Sequence, residues 1–265
     1  VGGATPPPAA RSLEPGCARP RHATGVAQRP HLRCLLSSEE LEGVSGVGFL
    51  KAGLEAASAI TTVSPTYAKE ILTPKYGERL DSLLLKRGDA ITAIVNGIDM
   101  TAFDPSSDPH LIANFSLNNP TPRTANKAAL QQEVGLPVQA DTPLIGMVTR
   151  LADHKGLDLV AKVLPQFVRQ QVQLVVLGTG DLRHHEMLTR AAREHPTNIA
   201  VVIRFDPPLG QRVYSGSDIF LMPSRHEPCG LGQLIAMRYG SVPVVRATGG
   251  LADTVTEFNA RSNDG

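Results

Sequence analysis

Paired cysteines, long apolar runs and a lopsided charge are what this sequence lacks. Three cysteines occur among 265 residues: Cys17, Cys34 and Cys229. They form no C-x-x-C pair, and Cys17 with His22, His31 and Cys34 does not have the paired spacing of a zinc site. An odd number of unpaired thiols fits a reducing compartment better than a disulfide scaffold. No apolar run is long enough to span a bilayer, and the N-terminus has no continuous apolar segment of the kind a secretory signal needs. Lys and Arg number 26 against 25 Asp and Glu, with no basic stripe interleaved with aromatics, so nucleic-acid binding draws no support. These absences point to a soluble, intracellular protein that uses neither membrane nor nucleic acid. A hydrophobic content of 42% excludes a mainly disordered chain, and the length allows one good core or two modest ones.

Composition divides the chain. Residues 1–46 are rich in Pro, Arg, Ala and Gly, include Pro6-Pro7-Pro8 and sustain no apolar periodicity, so they are expected to be disordered or a non-native extension. A plastid transit peptide is the functional alternative, weakened by scarce serine and by Glu39-Glu40. Order is expected from Val47: a helix over Phe49–Ala57, a strand over Ala59–Val63, a helix begun by Pro65, and a strand over Ile91–Val95 that runs into an Asn96-Gly97 turn. Residues Thr101–Asn126 carry loop chemistry. Beyond them strands are expected over Leu144–Val148, Gln173–Leu177, Ile199–Ile203, Ile219–Met222 and Val242–Val245, with helices over Leu157–Gln170, Leu182–Glu194 and Leu231–Tyr239. Apolar runs without polar alternation mean strands covered on both faces. The expected fold is therefore α/β, a doubly wound, Rossmann-like parallel sheet. Residues 47–92 read as the end of one domain and 93–265 as the sheet domain.

Ligands of such sheets bind beyond the carboxyl ends of the strands. Arg150, Gly178-Thr179-Gly180-Asp181, Phe205 and Glu227 follow successive strands there. The run Pro223-Ser224-Arg225-His226-Glu227-Pro228-Cys229-Gly230-Leu231-Gly232-Gln233 is the most informative. Unpaired N–H groups at Gly230, Leu231 and Gly232 suit a phosphate at a helix start, while Glu227 can reach sugar hydroxyls. The forked donor Arg150 and the point charge Lys155 suit the charge that develops on a leaving diphosphate.

Each residue also has a plainer reading. Arg150 and Lys155 taken singly are solvated charges, and Glu227 is a helix-dipole complement worth about 0.3–1 kcal/mol. Phe205 is a core residue beyond a strand, and Asn96 is only part of a turn. Gly178-Thr179-Gly180-Asp181 lacks the third glycine of a dinucleotide fingerprint and reads as a tight turn. His184-His185-Glu186 is not H-E-x-x-H and reads as a solvated helix face. Cys229 sits beside the expected helix start, yet reads as a small packing residue.

Four motifs in order, Val95-Asn96-Gly97-Ile98-Asp99, Arg150-Leu151-Ala152-Asp153-His154-Lys155-Gly156-Leu157-Asp158, the Glu227 run and Thr248-Gly249-Gly250-Leu251-Ala252-Asp253-Thr254-Val255, resemble the bacterial glycogen synthase and plant starch synthase family. The resemblance runs from about Phe49 to Thr256. It implies the GT-B glycosyltransferase fold, two Rossmann-like domains with the active site in their cleft. This chain would hold the end of the N-terminal, acceptor-side domain and most of the C-terminal, donor-binding domain. It also implies retaining transfer of glucose from ADP-glucose, with UDP-glucose as the alternative donor, to the non-reducing end of an α-1,4-glucan without cofactor or metal. The lack of any D-x-D motif agrees with the last point.

By the same resemblance Arg150 and Lys155 grip the donor pyrophosphate, Glu227 contacts glucose and Phe205 stacks the base. Asn96, Gly178, Cys229, Gly230, Leu231 and Gly232 complete the donor site. The family commonly has Thr where Gly232 stands, so a hydroxyl contact is missing while the backbone donor stays. The family's Lys-Thr-Gly-Gly-Leu loop and cleft His have no counterpart before Phe49. With Val1 and Gly265 as its ends, the chain is expected to be a fragment, inactive alone. A non-catalytic nucleotide-sugar-binding or regulatory module is one alternative, and a related transferase forming sucrose or trehalose is another. The expected location is the bacterial cytoplasm, or the plastid in a plant or alga. Nothing in the sequence sets the oligomeric state.

Overall fold

The structure, a computed structural model, describes residues 48–259 and the dipeptide Ala23–Thr24. They fall into two units: residues 23–24, 48–62 and 71–92 in the first, residues 63–70 and 93–259 in the second. The expectation for residues 1–46 lies outside the described residues except at Ala23–Thr24. That dipeptide forms a strand, β1, parallel to β2 (Ile60–Thr62), with Ala23 opposite Ile60 and Thr24 opposite Thr61.

In the first unit β2 lies between β1 and β3 (Ile91–Ala93). β3 is shorter than the expected Ile91–Val95, and Ile94 and Val95 beyond it are exposed. Helix α1 spans Gly48–Ala56. Its terminal carbonyls lack intrahelical partners, and Arg87 supplies them, donating to the carbonyls of Leu54 at 3.1 Å, Glu55 at 2.8 Å and Ala57 at 2.5 Å.

Helix α2 (Pro65–Glu70), inside the stretch 47–92, groups with the second unit. α3 (Asp81–Lys86) returns to the first, where Leu84 joins Leu54, Ile60, Ile71 and Leu80 in the core.

The second unit is built on a wholly parallel five-stranded sheet. After α4 (Arg123–Glu133) come β4 (Leu144–Val148), α5 (Leu157–Arg169), β5 (Gln173–Gly178), α6 (Leu182–Glu194), β6 (Ile199–Ile203) and α7 (Pro207–Gly216). β7 (Ile219–Met222), α8 (Gly232–Arg238), β8 (Val242–Val245) and α9 (Gly249–Thr254) follow. Successive strand residues point to opposite faces, and each face has its own core. Leu144, Val175, Leu177 and Phe220 pack with Leu130 of α4, Leu209 and Val213 of α7 and Ile235 of α8. Ile145, Met147, Leu174 and Val176 pack with Leu157 and Val160 of α5 and Leu188 of α6. The doubly wound fold read from the sequence is thus present. Only β8, at the sheet edge, departs from coverage on both faces: Val242 and Val244 are exposed.

Two helices of this unit run against the sequence pattern. α4 begins inside the stretch read as a loop and buries polar side chains. The Asn126 carboxamide accepts from the Ile112 and Ala113 amides and donates to the Ala113 carbonyl, while the Gln131 amide donates to Gln173 Oε1 at 2.6 Å. Hydrogen bonding satisfies what hydrophobic periodicity would miss. α7 opens with Pro207-Pro208, residues that usually signal a turn. Here they occupy the first helical turn, where no N–H is needed, and Asp206 caps it by accepting from the Leu209 amide at 2.9 Å.

The strand order is β6-β5-β4-β7-β8. The chain therefore winds outward from β4 through β5 to β6, then returns to the other side of β4 for β7 and β8. β4 and β5 align over five residue pairs, but β4 and β7 only at Ile145–Ile219 and Gly146–Phe220. Beyond those pairs the carboxyl ends of β4 and β7 flank the reversal, where doubly wound folds bind their ligands.

Candidate functional site at the strand-order reversal

Two loops meet at this reversal. The loop after β4 makes a 3-10 turn over Asp153–Lys155 and ends at Gly156. Gly156 has φ +73°, and a Cβ there would lie 2.2 Å from the Pro223 carbonyl of the loop after β7, so only glycine permits this approach. The loops are then joined three times. The Arg225 amide donates to the His154 carbonyl at 2.7 Å, Arg225 pairs with Asp158 at 2.5 Å, and Lys155 Nζ lies 2.6 Å from Glu227 Oε2. Ser224 Oγ donates to the same Glu227 oxygen at 3.0 Å. Lys155 and Glu227 are 19% and 10% exposed, which shields their pair from solvent far more than a surface ion pair.

Arg150, just past β4, is exposed and makes no ion pair among the described residues. His154 shares the field of this cluster. Burial pushes its imidazole below the ordinary His value, Lys155 adds to this, Glu227 opposes, and His226 and Arg150 push the same way as Lys155. Neither His154 nor His226 was singled out in the sequence, although both lie inside the quoted motifs. Tyr67 of α2 meets the His226 ring edge-on at 5.4 Å between centroids.

The loop carrying Glu227 is held from below by α9. The Gly250 amide donates to the Glu227 and Pro228 carbonyls, each at 3.1 Å. A Cβ on Gly249 would stand 2.1 Å from the Glu227 carbonyl oxygen. Gln233 donates to the carbonyls of Cys229 at 3.1 Å and Gly230 at 3.0 Å and to Thr254 Oγ1 at 3.0 Å. α9 in turn exchanges caps with α2: Glu70 accepts from Thr248 Oγ1 at 2.8 Å and from the Gly249 amide at 3.0 Å, and Asp253 accepts from Ser64 and Thr66.

The remaining residues named from the sequence divide. Gly230, at φ +72°, and the half-exposed Leu231 lead into Gly232, the first residue of α8, and no side chain caps that helix. Phe205 is 85% exposed, which removes the reading of it as a core residue. Asn96 is exposed, neither it nor Gly97 lies in a turn, and Gly97 has no left-handed φ, so the expected turn is absent. Cys229 is buried, in keeping with a packing role for its thiol.

Two readings from the sequence are corrected. Gly178-Thr179-Gly180-Asp181 is no tight turn but a continuation of the β4–β5 ladder. The Leu151 amide donates to Thr179 at 2.9 Å, the Asp181 amide donates to Leu151 at 2.7 Å, and a Cβ on Gly178 would stand 1.9 Å from the Thr149 carbonyl. His184 is no solvated residue: it is buried, with Nε2 3.0 Å from Asp153 Oδ1. Arg183 bonds to Asp153 and lies 3.6 Å from Asp181. Asp153, Asp181 and His184 are close enough to share a cation, but the Arg183 guanidinium already sits against both carboxylates. Arg183, and behind it His184, hold the Asp153 carboxyl below its ordinary range.

Parts of both units carry known patterns. Residues 131–262 match the family Glycosyl transferases group 1, and residues 19–86 match Starch synthase catalytic domain. Glycogen synthase of Anaeromyxobacter dehalogenans is 55% identical over 221 residues, 83% of this chain and 46% of that protein. The chain belongs to the glycogen synthase and starch synthase family. Glycogen synthase of Desulforudis audaxviator is 48% identical over 227 residues, 86% of this chain and 45% of that protein. Among solved structures, the catalytic domain of starch synthase IV from Arabidopsis thaliana, bound to ADP and acarbose, superposes with a TM-score of 0.76 at 34% identity, covering 81% of this chain and 45% of that one. The chain thus spans about half the length of the curated relatives it matches. The family match begins at residue 19, well ahead of Phe49, where the motif resemblance was taken to begin. Among the described residues no helix is long and apolar enough to cross a membrane.

Proposed function

We propose that this chain carries the donor-binding half of a glucosyltransferase that moves glucose from ADP-glucose to the non-reducing end of an α-1,4-glucan. The observation that carries the reading is the Lys155–Glu227 pair at the strand-order reversal, a cation and a carboxylate brought together where the fold places ligands. Lys155 and Arg150 take the diphosphate, Glu227 the glucose hydroxyls and the backbone at Gly230–Gly232 a phosphate oxygen, with Phe205 under the base. A fixed cation at the diphosphate stabilises the leaving group as its charge develops. Glu227, freed from Lys155 by the incoming phosphate, turns to the sugar. The relatives that match at 34% and 55% identity are named starch synthase and glycogen synthase, which favours a glucan acceptor over sucrose or trehalose synthesis.

Calorimetric titration of the chain with ADP tests the donor site. Saturable binding that weakens at least about tenfold in Lys155→Ala supports it, a loss matching the ~1.5–3 kcal/mol of a charged contact; equal binding by parent and variant removes Lys155 from the site. Labelled glucose incorporation into glycogen tests the activity. The chain alone is expected to show none, because transfer requires donor and acceptor aligned to within about an ångström.

A further inference from the structure

We propose that His184 is a positioning residue for Lys155, acting through Asp153. The proposal rests on the reading of Lys155 as a diphosphate contact and adds a residue that this reading does not use. Lys155 closes a 3-10 turn that Asp153 opens, with the Lys155 amide donating to the Ala152 carbonyl at 3.0 Å and the Gly156 amide to the Asp153 carbonyl at 3.1 Å. From the β7 side the turn is held by the Arg225–His154 backbone bond and by the Lys155–Glu227 pair itself. When a diphosphate draws Lys155 away from Glu227, that second hold loosens. The turn then keeps the Arg225–His154 bond on that side and depends more on its other anchor, Asp153.

Asp153 is tied to α6 twice, but unequally. Its bond with Arg183 joins side chains 63% and 66% exposed, and ion pairs so open to solvent contribute little. The His184 side chain is only 10% exposed, and its Nε2 lies 3.0 Å from Asp153 Oδ1. A hydrogen bond from a packed ring confines the carboxylate more than one from a solvent-exposed guanidinium. The base of the ring is rigid as well, because α6 starts from the Asp181 amide, which donates to the Leu151 carbonyl at 2.7 Å. His184, Asp153 and Lys155 thus form one continuous support from the sheet to the site.

The experiment compares His184→Ala with His184→Gln, whose amide nitrogen reproduces the reach of Nε2, in the full chain with folding checked by circular dichroism. Amide hydrogen exchange is read first, without ligand. In His184→Ala the amides of Lys155 and Gly156 should exchange at least about tenfold faster while those of β5 stay protected, and His184→Gln should restore the parent rate. ADP titration is read second. His184→Ala should weaken ADP about three- to tenfold, leave adenosine affinity unchanged and add nothing in a Lys155→Ala background, since the effect passes through Lys155. Uniformly faster exchange across the unit, unchanged exchange at the turn, or equal losses for ADP and adenosine overturns the proposal. If the parent itself does not bind ADP the donor reading falls, and the exchange experiment still decides whether His184 holds the turn.

Discussion

Lys155 Nζ and Glu227 Oε2 stand 2.6 Å apart although 72 residues separate them in sequence. They reach this contact because β4 and β7 are neighbours in the sheet, while the chain between them runs out to β6 and back. Each is the other's ion-pair partner among the described residues. Under the proposed function, a substrate that brings its own negative charge to Lys155 would release Glu227 in the same step.

Replacing Lys155 by Met should expose that dependence. Among the described residues the substitution leaves the largely buried Glu227 side chain with Ser224 as its remaining hydrogen-bond partner, at an expected cost of about 1–3 kcal/mol. The double change Lys155→Met with Glu227→Gln removes both charges and should recover part of the loss. Urea unfolding of the parent, both single variants and the double variant gives the coupling; strictly additive effects would mean that the pair is not formed in solution.

Phe205 offers the cleanest separation of binding from folding. Truncating a core Phe costs about 3–5 kcal/mol, but a ring that is 85% exposed supports little of the fold. Phe205→Ala should keep its stability within about 0.5 kcal/mol. Its ADP affinity should fall about three- to tenfold, in proportion to the ~0.5–1.5 kcal/mol of an aromatic contact. Unchanged affinity would leave the ring without a role at the base.

Strands β4, β5, β6, β7 and β8 were legible in the sequence because each is an apolar run between clear turn signals. α4 was not, because its buried face is Asn126, Lys127 and Gln131 beside Leu130, and such a face reads as solvent-exposed until its partners are known. α2 was visible as a helix, but its attachment to the second unit depends on Glu70 and Asp253 capping across more than 170 residues of sequence. The places of Arg150, Lys155 and Glu227 beyond the strand ends were legible because their motifs directly follow apolar runs. The contact of His184 was hidden for the opposite reason: it lies in a polar helix, and its partner Asp153 belongs to another loop.

The pH dependence of stability should carry the mark of His154. Its folded-state pKa is depressed below the ordinary 6.5, so between the folded and unfolded values the unfolded chain binds more protons than the folded one. Stability from this group is then full above that ordinary value and declines as pH falls through the window beneath it. His154→Gln should lose that part of the slope, and the difference between parent and variant should be flat above about pH 7. Parallel stability curves for the two proteins below pH 6.5 would show that the imidazole titrates as it does in the unfolded chain.

The two glycines that open α9 make the support of the Glu227 loop testable from a distance. A Cβ on Gly250 would lie 2.2 Å from the Cys229 carbonyl oxygen, and one on Gly249, at φ +46°, would lie 2.1 Å from that of Glu227. Both obstacles are backbone atoms, so the loop itself must move to admit a methyl group. Gly250→Ala should cost about 1–3 kcal/mol by overpacking. It should also weaken ADP, because the displaced segment carries both Glu227 and the start of α8. At Gly88, where nothing lies within 4 Å of an added Cβ, the same substitution should leave both properties unchanged, which removes helix propensity and general tolerance as explanations. A Gly250→Ala protein with parental ADP affinity would mean that the loop carrying Glu227 is positioned by the loop after β4 and needs nothing from α9.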